Sequence, residues 1–479
     1  MTKVRLFISH FKKIVLFMAI VTAVIVSMNY LYVDDTDEFA RYMLHEFYEE
    51  EENIDRLYIG TSHVFCGVNP VLLDEINGDN NFNLATGTQQ LIASYYLLRE
   101  ADRIHNLDKV YLELYYDCTV GGKGNVHDPS TFPYSWLVLN QMKPSLNKLT
   151  YILDLSEPAY YYMSFLPFMR YKEQLFNKEY VARVFQAKQS EIWKNYEYRH
   201  ITRVDDREYV MKDGEKGFRI CDRTPEQGGF FEQKQEEPLD ENPITEESLE
   251  YLLKITEYCE EQEIDLVWIG YPLSDYQLVR KGEYDNYIRQ VSDLAKQYQV
   301  PYYDFNLCKR EYLDLSQNSC WSDMGHLNTA GAELFTEFLG NFLLAQEAGD
   351  AAYQDCFYNS YEEKIHDSQE KIYGLEIVKS QDYERCMPEI SEEERGKYVI
   401  YKVHPVTNAG VGDVVIKASV EDEDADSDSH SDKKNAIMET IQDGNDTYVV
   451  LTAEQDGSLC VEARLKDAED VTNWARIEL

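Results

Sequence analysis

Strands and helices alternate along two stretches of this chain, which predicts an α/β fold on a parallel sheet with helices on both faces. Two stretches carry that reading, and a third observation adds a separate β domain. "DRLYIG" (55–60), "NFNLAT" (81–86) and "DKVYLELYY" (108–116) are short strand-like runs, with helical periodicity in "LIASYYLLREADR" (91–103) between the last two. The pattern returns as helix "EESLEYLLKITEYCEEQ" (246–262), strand "IDLVWIGYP" (264–272), helix "YDNYIRQVSDLAKQYQ" (284–299), strand "VPYYDF" (300–305) and helix "TAGAELFTEFLGNFLLAQ" (329–346). After about residue 370, "KYVIYKV", "DVVIKASV", "TYVVLTAE" and "SLCVEARLK" alternate with period two, which predicts a small antiparallel, sandwich-like β domain.

The first element is an apolar run, "IVLFMAIVTAVIVSMNYLYV" (14–33), of about the length that crosses a bilayer. Lys3, Arg5, Lys12 and Lys13 precede it, and Asp34, Asp35, Asp37 and Glu38 follow it. Positive charge stays on the cytoplasmic side. The expectation is therefore a single-pass plasma-membrane anchor, N-terminus in the cytoplasm and the bulk extracytoplasmic. Tyr30 and Tyr32 suit an interfacial belt. The rival is a cleaved signal peptide, but the run exceeds a usual signal core and no small-x-small site follows.

The expected domains are a tip and anchor (1–33), an acidic helical stalk (34–52), an α/β domain (53–346) with an insertion at 120–245, a linker (347–369) and the β domain (370–479). Asn69 followed by Pro70 starts a helix within the α/β domain. The insertion is aromatic around "YYYMSFLPFMRY" (160–171). Tyrosines can stack on sugar faces, though aromatic helical faces are more often core. Within the β domain, Asp424, Asp426 and Asp428 have the spacing of the first ligands of a calcium loop. Ser429 stands where that loop needs glycine and Asn435 where it needs glutamate, so 421–434 reads as a solvated loop and no metal is expected.

The chain has 479 residues with 87 acidic against 46 basic, a formal charge of −41. That argues against broad docking on nucleic acid, which needs a basic face, and against broad electrostatic docking on an anionic membrane or a polyanionic wall polymer. The nine cysteines are scattered, with no C-x-x-C pair and no zinc-ligand spacing, and read mostly as small buried side chains.

Chemistry gathers at "RLYIGTSHVFCGVNP" (56–70), a buried strand that breaks into a glycine-flanked turn at Ser62. A serine hydroxyl needs a base within hydrogen-bond reach, and that base an orienting carboxylate. His63 is adjacent, but neighbouring side chains usually point apart, so it reads as a supporting or substrate-facing group. "CWSDMGHLNTAGAELF" (320–335) offers a better base: Asp323 and His326 stand three apart on a loop opening a helix that Asn328 or Thr329 can cap. Asp304, at a strand end, reads as structural.

A strand ending in Gly-x-Ser, a second strand followed by glycine, and a late D-x-x-H loop before the last helix resemble the SGNH/GDSL hydrolase family. The resemblance covers roughly 53–120 and 246–346. It implies a flavodoxin-like three-layer sheet and a Ser–His–Asp site acting on esters. Carried over by motif position, Ser62 is the nucleophile, His326 the base and Asp323 its orienter. Gly87 in "NLATGTQQ" resembles the glycine whose N–H joins that of Ser62 in the oxyanion hole. The chain departs from the pattern in three places. Thr61 replaces the aspartate before the serine, Gly67 lies one position late, and the third strand end reads "LELYYD" where the family offers an asparagine donor. Thr88 or Gln89 are substitutes for that donor. Glu113, Tyr115 and Tyr271, with His63, are candidates to face substrate, and Asp117 reads equally as a solvated loop residue. With the anchor, these departures look more like the membrane-anchored branch that includes DltD-type proteins and the SGNH-like partners of polysaccharide O-acetylation. Those work beside a multi-spanning membrane acyltransferase.

Two readings stand at this point. One is an extracytoplasmic serine esterase or O-acyltransferase on acyl groups of a cell-surface glycan or teichoic-acid-like polymer, needing no cofactor. The other is a weak or inactive adaptor for a membrane acyltransferase or a glycan.

Overall fold

The computed structural model describes residues 2–36, 38–201, 208–211, 214–224, 230–232, 243–281, 284–421, 437–453, 457–468 and 473–478. Nearly all of the acidic segment read as a solvated loop (421–434) lies outside them.

Two compact units share the chain. One comprises Met1–Cys221, Pro243–Gly270 and Ala295–Tyr303; the other comprises Asp222–Asn242, Tyr271–Leu294 and Asp304–Leu479. This division departs from the expected boundaries, because the last part of the expected 53–346 domain groups with the strands after 370.

In the first unit, α1 (Thr2–Tyr32) is the one helix among the described residues long and apolar enough to cross a membrane, over the 23 residues His10–Tyr32. The expected stalk at 34–52 is corrected: α2 (Phe39–Glu49) is a packed helix that buries Phe39, Tyr42, Met43 and Phe47. Those residues recur at helical spacing, so the segment has one apolar stripe behind its acidic letters. Phe39 stacks on Phe65 at 4.3 Å, and Phe47 meets Phe82 at 5.8 Å. Buried Glu46 accepts the backbone N–H of Gly214 and Lys216 at 2.8 Å and of Gly217 at 3.1 Å, fastening that turn to α2.

The central sheet has five strands in the order β2 (Asn81–Asn83), β1 (Arg56–Ile59), β3 (Lys109–Glu113), Asp265–Gly270 and Tyr302–Asp304. β1 pairs in parallel with β2 and β3, and β3 with Asp265–Gly270, so Leu57 stands between Phe82 and Val110 and Val110 beside Leu266. Leu57, Ile59, Val110, Leu112 and Trp268 are buried, as strands covered on both faces require. α3 (Ser62–Gly67) and α4 (Pro70–Asn77) follow β1. Asn69 caps α4, its Oδ1 accepting the N–H of Val71 and Leu72, with Pro70 in the first turn. α5 (Leu91–Ile104) precedes β3, and Tyr95 on it meets Tyr251 of the helix Glu246–Glu261 at 6.2 Å.

The insertion begins as helices. Some of its aromatics are packed, Tyr151 stacking on Tyr96 at 4.5 Å and Tyr160 meeting Phe132 at 5.7 Å, while none of the aromatics in 160–171 is fully buried. Its end contributes Phe230–Glu232 to the other unit, in parallel with Ile372–Ser380.

The second unit holds two sheets face to face. One has the order Ile437–Asp443, Asp446–Thr452, Tyr398–Thr407, Ile372–Ser380, Phe230–Glu232; the other has Val414–Glu421, Ser458–Leu465, Asn473–Glu478. Leu375, Val403, Val449 and Leu451 share one core with Val414, Val461, Ala463 and Ile477, so alternate residues of both sheets point inward. The segment expected as a linker, 347–369, holds short elements of its own. The helix Thr329–Ala348 ends at a left-handed Gly349, a short turn at Ala351–Tyr353 follows, and Phe357 bridges Cys308 before the helix Tyr361–Asp367. Eight of the nine cysteines are buried and Cys460 is half-buried.

Candidate active site

The candidate residues fall into two arrangements, one in each unit.

The first lies at the carboxyl ends of β1, β2 and β3. β1 ends at Ile59, Gly60 turns the chain, and α3 begins at Ser62 with Thr61 as its cap. Ser62 is half-buried, while His63, Val64, Phe65 and Cys66 are buried. Gly60 is required for a contact and not for its torsion: a Cβ there would lie 2.4 Å from the Glu113 Cβ. Glu113, the last residue of β3, uses that proximity. Its Oε2 accepts the backbone N–H of Thr61, and its Oε1 lies 2.9 Å from Nδ1 of His63. The Thr61 hydroxyl lies 3.0 Å from the same nitrogen. A carboxylate only accepts, so the His63 proton sits on Nδ1. The ring of Tyr115 meets His63 edge-on at 4.4 Å, and its hydroxyl donates to Asp117 at 3.0 Å. Burial, then Tyr116 and Asp117, push that hydroxyl well above the ordinary tyrosine range.

The loop after β2 is tied to this turn. Leu84 donates its N–H to the Tyr58 carbonyl at 2.8 Å, and Thr86 to the Gly60 carbonyl at 3.2 Å. Gly87 and Thr88 are half-buried in the turn that follows. Thr88 takes a left-handed backbone, φ 52°, which is strained for a β-branched residue.

Two candidate roles change here. Glu113 does not face substrate, because it is buried beneath the Ser62 turn with its oxygens on Thr61 and His63. Gln89 is no substitute oxyanion donor. It is buried, accepts from the Thr86 hydroxyl at 2.9 Å and donates to Ser94 at 3.1 Å. Both polar ends are thus used within the loop's own scaffold.

The second arrangement is the Asp323–His326 loop, in front of the helix Thr329–Ala348. Asp323 Oδ1 accepts the backbone N–H of Gly325 and of His326, each at 2.9 Å. Nδ1 of His326 lies 2.9 Å from Oδ1 and 3.0 Å from Oδ2. One carboxylate therefore folds the loop and sets the imidazole. The proton is held on Nδ1, and the Nε2 lone pair faces away from Asp323. The loop is closed by Ser322 N–H on the His326 carbonyl at 2.8 Å and by a bridge between Trp321 and Leu327. Asn328 caps the helix through Gly331 N–H at 2.9 Å. Gly331 must lack a side chain, since a Cβ would lie 2.0 Å from the Cys320 carbonyl oxygen. Tyr271 is buried with its ring on Phe335 at 5.8 Å, a packed position unlike that expected of a group facing substrate. Asp304 is buried, accepting from the Tyr284 hydroxyl at 2.9 Å and from Asn306 N–H at 3.0 Å, a structural arrangement.

The His63–Glu113 pair is what sequence reasoning missed. The available signal was a single acidic residue inside the apolar run "VYLELYY". A carboxylate there must find a buried partner.

No family profile matches the chain, and no curated protein matches it. Among solved structures, a protein from Streptococcus pneumonia described provisionally as a platelet activating factor is similar at 12% identity. The match covers 67% of this chain and 99% of that one, with a TM-score of 0.28. A likeness of that size carries no argument about what this chain does.

Proposed function

We propose that this chain is a serine esterase or O-acyltransferase of the SGNH/GDSL type, anchored by α1 with its bulk outside the cell. The observation that carries it is the Asp323–His326 pair, a carboxylate-oriented imidazole with its proton held on Nδ1. The strand order of the parallel sheet, second–first–third–fourth–fifth in chain order, is that of flavodoxin-like sheets. Ser62 stands beyond the carboxyl end of β1, where such sheets place their reacting groups.

In this reading Ser62 Oγ attacks the acyl carbonyl and passes its proton to Nε2 of His326. The N–H groups of Ser62 and Gly87 receive the oxyanion. The leaving oxygen takes that proton from Nε2 and departs as an alcohol. Water or a sugar hydroxyl then gives its proton to Nε2 as it attacks the acyl-enzyme, and Nε2 returns it to Ser62 Oγ as the acyl group leaves. An acylated cell-surface glycan or teichoic-acid-like polymer is the substrate class, with a multi-spanning membrane acyltransferase as partner. Thr88 and Tyr115 flank the acyl position.

The test is fluorophosphonate labelling of the full-length protein, with the adduct located by mass spectrometry. Labelling at Ser62 that falls by about 10²–10⁴-fold in His326→Ala and Asp323→Asn supports the site. Labelling elsewhere, or unchanged in His326→Ala, overturns it.

One observation favours the adaptor reading. The third strand end, "LELYYD", offers no asparagine donor for an oxyanion, and its Glu113 is buried with Oε2 on the Thr61 N–H. A folded protein that never labels at Ser62, yet co-purifies with a membrane acyltransferase, would establish that reading instead.

A further inference from the structure

The end of α1 is built into the insertion. Asn29 Oδ1 accepts the N–H of Phe168 at 3.1 Å. The Tyr32 hydroxyl donates to the Leu175 carbonyl at 2.9 Å, and the Tyr180 hydroxyl donates to the Tyr32 carbonyl at 2.9 Å. Lys188, itself buried, donates to the Val33 carbonyl at 2.6 Å and pairs with Asp35 at 2.9 Å. The Tyr30 ring meets Phe185 at 6.3 Å and Trp193 at 5.9 Å, both edge-on. The turn at Pro167–Gln174 and the helices Lys178–Ala187 and Glu191–Lys194 are therefore fastened to the last turn of α1.

The same segments leave large apolar side chains bare. Phe176, next to the carbonyl that holds Tyr32, is 96% exposed; Phe185, against Tyr30, is 47% and Phe165 46% exposed. Ile192, next to Trp193, is exposed too. Single exposed apolar residues are ordinary, but here each lies within a few residues of a contact to the same helix end.

The apolar span of 23 residues is about 35 Å long as a helix, enough to cross the hydrocarbon layer with some tilt. Asn29–Val33 then sit at the headgroup level, and so does whatever they hold. Aromatic side chains with one wet and one apolar side favour that layer.

We infer that the 160–195 part of the insertion is an interfacial membrane-binding surface, with Phe165, Phe176, Phe185 and Ile192 seated in the headgroup and acyl boundary of the leaflet from which α1 emerges. Its occupant is lipid of the same membrane. The surface fixes the angle at which the unit carrying Ser62 stands on the bilayer. The inference rests on α1 spanning the membrane, and the experiment separates the two.

Full-length protein is reconstituted in phosphatidylethanolamine–phosphatidylglycerol vesicles, with p-benzoylphenylalanine replacing Phe17, Phe165, Phe176, Phe185 or Ile104, one at a time. Phe17 lies inside α1, and Ile104 is an exposed residue beside the far end of α2. After illumination, phospholipid adducts are read by mass spectrometry. The expected result is lipid adducts at 17, 176 and 185, at least about tenfold above position 104. Adducts at 17 with none above background at 176 and 185 overturn the surface and leave the anchor standing. Cross-links from 176 or 185 to a second copy or another protein overturn it in favour of a protein interface. No lipid adduct at 17 overturns both. Position 165 keeps the test decisive if replacing Phe185 disturbs Tyr30.

Discussion

Oε1 of Glu113 lies 2.9 Å from Nδ1 of His63, fifty positions apart in sequence, and Oε2 of the same carboxylate takes the N–H of Thr61. The residue before Ser62 and the residue after it are thus both held from below by the end of β3. Glu113 itself touches neither substrate nor base in the proposed mechanism.

Glu113→Gln keeps the shape and loses the charge. A hydrogen bond to a charged group contributes about 1.5–3 kcal/mol, and the variant should lose stability of that order. Urea denaturation followed by tryptophan fluorescence measures it. A midpoint equal to that of the parent would mean that the pair does not hold the turn.

Gly60 and Gly87 flank the same loops, and only Gly60 should respond to alanine. At Gly60 the new Cβ meets the Glu113 Cβ at 2.4 Å, whereas at Gly87 nothing lies within 4 Å. Gly60→Ala should cost about 1–3 kcal/mol or more, and Gly87→Ala should melt like the parent. Equal melting of both variants would contradict the close approach of β3 to the turn.

Glu46 gathers three backbone donors from Gly214, Lys216 and Gly217. Glu46→Ala leaves them without their carboxylate and should destabilise the unit by about 3 kcal/mol. Hydrogen exchange locates the effect: amides 214–217 should exchange faster in the variant. Unchanged protection there would show that the carboxylate is not what holds them.

Glu38 gives a pH dependence. Burial, then the neighbouring Asp35, raise its carboxyl from an ordinary 4.5 to about 7, against the lowering effect of Arg170 and Gln141. The folded protein therefore holds the proton that the unfolded chain releases near 4.5. The stability tied to that proton is fully present below about 4.5 and is lost as pH rises through about 7. The gap corresponds to up to about 3 kcal/mol. Glu38→Gln should match the parent near pH 4 and melt higher than it at pH 8. A constant difference across that range would rule Glu38 out as the titrating group.

The elements that follow from local pattern were legible. "EESLEYLLKITEYCEEQ" reads as a helix and forms one over Glu246–Glu261, because side chains three and four apart share a face whatever the rest of the chain does. "DRLYIG" yields the strand Arg56–Ile59 for the same kind of reason. The Asp323–His326 pairing belongs to this class, since four consecutive residues of one loop suffice to close it. Segment 34–52 shows where such reading fails. Its acidic letters suggested a stalk, although Phe39, Tyr42, Met43 and Phe47 already had the spacing of a buried stripe.

What depended on the assembled fold is whatever joins distant positions. No period in the letters tells Glu113 to meet His63, Phe230–Glu232 to line up beside Ile372–Ser380, or Lys188 to close on the carbonyl that follows α1. Each of these contacts satisfies a buried polar group or a strand edge with a partner that becomes adjacent only after the chain has packed. The types of element were written in neighbouring residues. The partners, and with them the burial of Glu113, Gln89 and Tyr271, were set by long-range packing.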